Sequence, residues 1–162
     1  MEEKLVGSTL EQFEAYVKDM LFLKKADANM YSPLVLAYIG DAVYELIIRT
    51  IIVNHGNCPV NRMHKESSSL VKASAQAEMV HLIMEELTER ERAIYKRGRN
   101  AKSATAAKNA TITDYRTATG FEALVGYLYL NGEKERLIEL VGHALQKKGI
   151  FGESTSKFVS ML

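Results

Sequence analysis

The chain has little of the covalent and backbone punctuation that stiffens small proteins. A single cysteine, Cys58, stands among 162 residues, which excludes an intrachain disulfide and a zinc site built from several cysteines. The four histidines, His55, His64, His81 and His143, have neither HxxxH nor HxH spacing, so they read as surface or capping residues rather than metal ligands. Only two prolines occur, Pro33 and Pro59, and the long windows around them follow a helical period. The opening MEEKLVGSTLEQ is acidic and has no apolar stretch of the kind a secretory signal needs. No apolar run free of charge is long enough to cross a membrane. The longest candidate, residues 34–53, carries Asp41, Glu45 and Arg49 through its middle, and each would cost about 2.5–3.5 kcal/mol at a bilayer centre. These absences predict a cytoplasmic all-α protein with no membrane span.

What is present is helical pattern. Ser8 or Thr9 can cap a first helix whose apolar positions Leu10, Phe13, Val17, Met20 and Leu21 recur mostly at three- and four-residue spacing. Ser32-Pro33 supplies an N-cap followed by proline at the first helical position, and that helix should run to about Asn54. Residues 60–87 read as one or two helices, broken near the serines at 67–69. Thr88-Glu89-Arg90-Glu91 is a capping box opening a short helix to about Arg97, and Thr113 can cap another that ends at Asn131-Gly132. Residues 133–148 make a last helix, with Leu137, Leu140, Val141 and Leu145 inward and Gly149 stopping it. Residues 98–110, rich in Ala, Ser, Thr, Asn and Lys, read as a mobile loop. No repeat or second domain is visible, so residues 1–162 are expected to be one domain with loose ends over about 1–8 and 150–162.

The net charge of +1 hides an asymmetry. Residues 92–110 hold Arg92, Lys96, Arg97, Arg99, Lys102 and Lys108 and no acid, whereas Glu85, Glu86, Glu89 and Glu91 crowd the segment just before. Such a strip is either a solvated face or a surface for a polyanion. Tyr95 is the one aromatic residue in it, which argues against base stacking on single strands and fits a duplex recognised by its backbone.

Two helical runs are apolar nearly all the way round, and each carries a carboxylate. LVLAYIGDAVYELIIRTIIV at 34–53 bears Asp41, Glu45 and Arg49; GFEALVGYLYL at 120–130 bears Glu122 alone. A helix apolar on every face is expected in a core, where a bare charge is too costly to keep. Glu45 and Arg49 can pair across one turn. Asp41 has no cation at i+4, and Gly40 beside it costs about 1 kcal/mol against alanine in mid-helix, a residue choice that signals close approach by another backbone. Glu122 has no basic residue within four positions. Two orphan carboxylates that one bundle could bring together are suited to Mg²⁺ or Mn²⁺, hard cations held by one or two carboxylates plus water and substrate phosphate. The chain is therefore a candidate metal-dependent enzyme.

These residues also carry a resemblance. LAYIGDAVYE at 36–45 resembles the signature helix of the ribonuclease III catalytic domain, and FEALVGYLYL at 121–130 resembles that family's second acidic helix. RGRNAKS at 97–103, with a short tail after the last helix, is similar to the Mini-ribonuclease III branch, which keeps the catalytic domain without the double-stranded-RNA-binding domain. The resemblance covers about residues 32–148. It implies a homodimeric endoribonuclease that hydrolyses double-stranded RNA, with Asp41 and Glu122 catalytic and metal-binding, Mg²⁺ as cofactor and Mn²⁺ as its substitute. Arg97, Arg99, Asn100, Lys102, Lys108 and Arg116 would contact the RNA. The expected substrate is a stem of the large-subunit (23S) ribosomal RNA precursor, with a large-subunit ribosomal protein as a candidate helper. Leu34, Ala37 and Thr119 stand where the parent family has further acids. Two alternatives stay open: a non-catalytic duplex-RNA-binding assembly factor of the same fold, and a plain helical interaction module with a structural Glu45–Arg49 pair.

Overall fold

The computed structural model describes residues 9–102 and 111–150, and among these it contains seven α-helices and no strand. They are α1 (Thr9–Met20), α2 (Pro33–Asn54), α3 (Val60–Val71), α4 (Ala73–Ile83), α5 (Glu89–Asn100), α6 (Ile112–Leu130) and α7 (Lys134–Lys147), with single 3₁₀ turns at Ala28–Met30 and Met84–Glu86. No helix is long and apolar enough to cross a membrane among the described residues. The expected loose ends, and the cap at Ser8 or Thr9, fall outside the described residues or side chains.

Most helix ends follow the local chemistry expected of them. The Ser32 hydroxyl accepts from the Val35 amide and Pro33 occupies the first turn of α2. Thr88 and Glu91 exchange side-chain-to-amide bonds, both at 3.2 Å, in a complete capping box. Gly132 and Gly149, with φ of +73° and +79°, follow α6 and α7 in the left-handed conformation open to glycine. Three boundaries differ from the sequence reading. The break between α3 and α4 lies at Lys72, whose backbone is extended, and not at the serines. Ser67 and Ser69 instead donate back to the His64 and Glu66 carbonyls, which keeps them inside α3. α5 continues to Asn100, so residues 98–100 are helical rather than loop. α6 is capped by Thr111, which accepts from the Asp114 amide at 3.0 Å; this register puts Asp114 in the first turn, at the positive end of the helix dipole.

α6 is the central helix. Eleven of its residues from Thr117 to Leu128 are buried, and it packs against α2, α5, α4 and α7. Two glycine crossings set its neighbours. A Cβ added at Gly40 of α2 would stand 1.8 Å from the Glu122 carbonyl oxygen, and one at Gly126 of α6 would stand 1.9 Å from the Leu36 carbonyl oxygen. On the other side, a Cβ at Gly98 of α5 would meet the Ala123 Cβ at 2.7 Å, and one at Gly120 would meet the Tyr95 carbonyl at 2.7 Å. Gly98 was thus chosen for packing, although a glycine beside polar residues reads locally as a helix breaker. Tyr44 seals the α2–α6 seam: its ring meets Phe121 edge-on at 5.2 Å and its hydroxyl donates to the Leu70 carbonyl at 2.8 Å. At the far end, Arg136 of α7 bridges the buried Glu91 carboxylate at 2.8 Å and donates to the Glu86 carbonyl at 2.7 Å, so the capping box of α5 also anchors α7.

α2 is not buried on every face, as its composition suggested. Leu36, Ala37, Gly40, Val43, Tyr44, Ile48 and Ile52 face the core, but Val35, Tyr38, Ala42, Leu46 and Val53 form an exposed stripe, with Tyr38 82 % exposed. Asp41 flanks that stripe and is itself exposed. Among the described residues, no element covers this second side of α2.

The crossing generates a stability prediction. Gly40→Ala should destabilise the fold by at least about 3 kcal/mol, because the added methyl collides with backbone that cannot rotate away. Gly142→Ala, where nothing lies within 4 Å, should stabilise by about 0.5–1 kcal/mol through helix propensity alone. Urea unfolding of both variants checks the contrast; equal effects would mean the α2–α6 contact is slacker than described.

Candidate active site

The Gly40 and Gly126 crossing fixes what lies beside it. Asp41 follows Gly40 directly, and the carbonyl that Gly40 faces belongs to Glu122. Residues Leu34, Ala37, Tyr38 and Asp41 recur at three- and four-residue spacing along α2, and Tyr115, Thr119 and Glu122 do so along α6. Together with Ile39 and Ala42 they line one cleft of about 470 Å³. The two carboxylates singled out in the sequence thus face one space.

Their electrostatics are those of an uncompensated pair. Burial pushes the Glu122 carboxyl up from 4.5 to about 7; the Asp41 charge adds to this and a hydrogen bond from Gln76 opposes it. Asp41, exposed at the cleft rim but with its carboxyl partly desolvated by the surrounding walls, is raised as well, by that desolvation first and then by the Glu45 charge. Glu122 does not push Asp41 up in turn, because the deeper group is still protonated and neutral when the shallower one ionises. The nearest candidate cation on α2 is already engaged: Arg49 bonds Glu45 at 2.6 and 3.0 Å. No basic side chain compensates Asp41 or Glu122 among the described residues.

A divalent cation fits this donor set. Two hard oxygen donors, each disfavoured as a bare anion, border an open cleft, and a cation would relieve both. Among the described residues there is no cluster of three or more metal-ligating side chains, so the remaining positions around an ion would fall to water and to substrate oxygens.

Residues 34–133 match the model of the ribonuclease III domain. The chain is 49 % identical over 146 residues to the Mini-ribonuclease 3 of a Thermoanaerobacter species, covering 90 % of this chain and 97 % of that protein. It is 55 % identical over 119 residues to the Mini-ribonuclease 3 of Clostridium tetani, covering 72 % and 78 %. The crystal structure of a Fusobacterium nucleatum protein superposes with a TM-score of 0.69 at 30 % identity, over 75 % of this chain and 98 % of that one. The chain belongs to the ribonuclease III family, in its Mini-ribonuclease III branch.

Ribonuclease III proteins are endoribonucleases that act on double-stranded RNA, work as dimers and generally depend on divalent metal. Against that background the lining of the cleft is informative. Leu34, Ala37 and Thr119, the three positions at which the resemblance drawn from the sequence implies further acids in the parent family, all border it. The Thr119 hydroxyl is turned back to the Tyr115 carbonyl at 2.9 Å. The cleft thus presents two carboxylates, Asp41 and Glu122, and at these three positions apolar or self-satisfied side chains.

The basic residues divide. Arg97, Arg99 and Asn100 lie on the last turn of α5 instead of a loop, with Arg97 and Asn100 exposed and Arg99 held 5.7 Å over the Tyr95 ring. Its Nε also donates to the Asn100 side-chain oxygen at 3.3 Å. Lys102 is exposed just beyond the helix, and Arg116 is exposed on α6 beside the cleft residue Tyr115. Lys108 lies outside the described residues. None of these side chains reaches the carboxylates in a described contact. Sequence inspection missed Gln76, which donates to Glu122 at 3.1 Å from α4; a lone glutamine in ASAQAEM reads as an exposed helical residue, and nothing local marks it as buried.

Because the Glu122 carboxyl titrates higher in the fold than in the unfolded chain, the metal-free protein binds an extra proton between about pH 4.5 and 7. This contribution to stability is full below about 4.5 and is lost as pH rises through 7, by as much as about 3 kcal/mol. Glu122→Gln should abolish that slope. In chelator at pH 8 the variant should melt above the parent, with the gap closing at pH 5; a gap that stays constant with pH would count against this charge balance.

Proposed function

We propose that the chain cleaves double-stranded RNA by phosphodiester hydrolysis at the Asp41–Glu122 cleft, with Mg²⁺, or Mn²⁺ in its stead, held between the two carboxylates. The observation that carries this proposal is the pair itself: two carboxylates from different helices on one open cleft, neither matched by a cation among the described residues. When bound there, the ion supplies Lewis-acid polarisation of the scissile phosphate. Asp41, the exposed member, is accessible to an ion arriving with substrate. Glu122, deeper and tied to Gln76, gives the site its fixed geometry. The exposed cations Arg97, Lys102 and Arg116, with Arg99, Asn100 and Lys108, supply phosphate contacts that position a duplex without reading its bases. Products with 5′-phosphate and 3′-hydroxyl ends and a 23S ribosomal RNA precursor stem as substrate belong to this proposal, as do a cytoplasmic location and assistance by a large-subunit ribosomal protein.

The protein is further proposed to act as a homodimer through the exposed stripe of α2. Val35, Tyr38, Leu46 and Val53 form an apolar face on a structured helix, and a second copy of that face would cover it self-complementarily. Asp41 at the stripe's edge would then sit near the subunit boundary, with two sites along one duplex.

A non-catalytic reading draws support from Leu34, Ala37 and Thr119, and one comparison separates it from the enzyme. Asp41→Asn should abolish cleavage of a long duplex, by at least about a thousandfold, while duplex binding survives. Replacing Arg97, Arg99 and Lys102 by alanine should do the reverse: weaker binding to duplexes of any sequence, a salt slope reduced by up to about one unit per lost contact, and a smaller loss of single-turnover rate at saturating RNA. A parent protein that binds but never cuts would establish the non-catalytic reading. Sedimentation equilibrium at micromolar concentration should return about twice the 18.2 kDa chain mass; Tyr38→Glu should halve it, and a monomeric parent would refute the interface.

A further inference from the structure

One buried polar group is left over from this site. Gln76 lies on α4 with 2 % of its surface exposed, where an apolar side chain could pack without any polar cost. Its side-chain nitrogen donates to two acceptors, the Val71 carbonyl at 2.8 Å and Glu122 Oε1 at 3.1 Å. Its oxygen is also buried and has no partner among the described residues. The orientation follows from the acceptors: turning the amide over would aim its oxygen at the Val71 carbonyl and at Glu122, losing both bonds whenever Glu122 is ionised, as it is when it holds a cation. The fold therefore tolerates an unsatisfied oxygen to keep an N–H on Glu122, an arrangement that calls for an explanation.

The Val71 bond supplies part of it. Val71 ends α3, and Lys72 beside it is extended to start α4, so the glutamine is braced against the helix junction at one end and reaches α6 with the other. One oxygen of Glu122 is engaged by this brace, and Glu122 also lines the cleft.

We propose that Gln76 is a positioning residue for the cation: braced on Val71, it fixes one Glu122 oxygen and so presents the other to the ion shared with Asp41. This rests on the Asp41–Glu122 metal reading above. Its physical basis is preorganisation. A glutamate has three rotatable side-chain bonds, and restricting them on folding removes that ordering cost from the binding step. Partners behind a metal ligand generally matter by 10–100-fold in metal affinity.

The test uses Gln76→Met, which keeps length and burial, deletes the donor and also deletes the orphan oxygen. Mn²⁺ binding to the RNA-free protein, followed by electron paramagnetic resonance, should weaken about 10–100-fold. The metal concentration for half-maximal cleavage should rise by a similar factor, with rate recovering as metal is added. The melting temperature in chelator should hold or rise, since an unsatisfied buried oxygen is gone. A residue that merely supports the fold would lower the melting temperature and leave Mn²⁺ affinity within about twofold of the parent, and that result would overturn the proposal. Asp41→Asn in the same titration separates the two levels: if it binds Mn²⁺ as the parent does, the two-carboxylate site itself is wrong. Should Gln76→Met fail to fold, the ¹⁵N side-chain amide of Gln76 in the parent protein decides. It should shift on addition of Mg²⁺ and cease to respond in Asp41→Asn; a resonance unmoved by Mg²⁺ would refute the role.

Discussion

The structure depends on a contact that no side chain makes. α2 and α6 approach until the backbone of each occupies the space where the other's glycine would carry a Cβ, 1.8 Å from the Glu122 carbonyl at Gly40 and 1.9 Å from the Leu36 carbonyl at Gly126. Such reciprocity admits almost no sliding, because interiors are close-packed and a shift of either helix brings backbone into backbone. α6 makes a second tight contact with α5 through Gly98 and Gly120, so the central helix is gripped on two sides. The geometry of the candidate site follows from this grip. Asp41 is the neighbour of one crossing glycine, and the carbonyl facing that glycine is Glu122's own. The distance between the carboxylates is therefore set by main-chain packing, a stiffer spacer than any side-chain contact.

That arrangement has an electrostatic consequence. Helices pressed this closely leave Glu122 little water, and burial raises its carboxyl to about 7, further helped by Asp41. A protein selected only for stability would place a cation or an apolar residue there. Elsewhere this chain does so: Glu91 is buried against Arg136, and Glu86 is met by His143 at 2.7 Å and by Lys147 at 3.1 Å, so both carboxyls stay below their ordinary range although burial pulls them upward. Among the described residues, the carboxylates at the α5–α7 end are compensated and those at the α2–α6 cleft are not, which is the contrast expected if the first pair serves the fold and the second is kept for the proposed metal. Local instability of this kind is common where a site must accept an ion or substrate.

Much of this was legible in the sequence, for reasons that can be named. Asp41 and Glu122 stood out because each is a carboxylate in an apolar run without a cation at hand: Glu45 occupies the i+4 position of Asp41, and no basic residue lies within four positions of Glu122. Gly40 announced a close approach because mid-helix glycine is costly. Ser32-Pro33 and the Thr88 box marked helix starts by local hydrogen bonding, which sequence order controls directly. What failed to show was set by tertiary packing. Gly98 looked like the start of a loop because its partner, Ala123, is 25 positions away. Gln76 carried no signal, since its two acceptors lie on other segments. Which residues of α2 form its exposed stripe was hidden, because an apolar residue looks the same in the sequence whether it faces the core or solvent.

The central claim is that two carboxylates held by a glycine crossing share one divalent ion. The most direct measurement is the anomalous difference map of crystals soaked in Mn²⁺ at a concentration that supports cleavage by the same preparation. The account predicts a peak between the Asp41 and Glu122 carboxylates, within bonding distance of an oxygen from each. A peak bound elsewhere, with the Asp41–Glu122 cleft containing none, would contradict it.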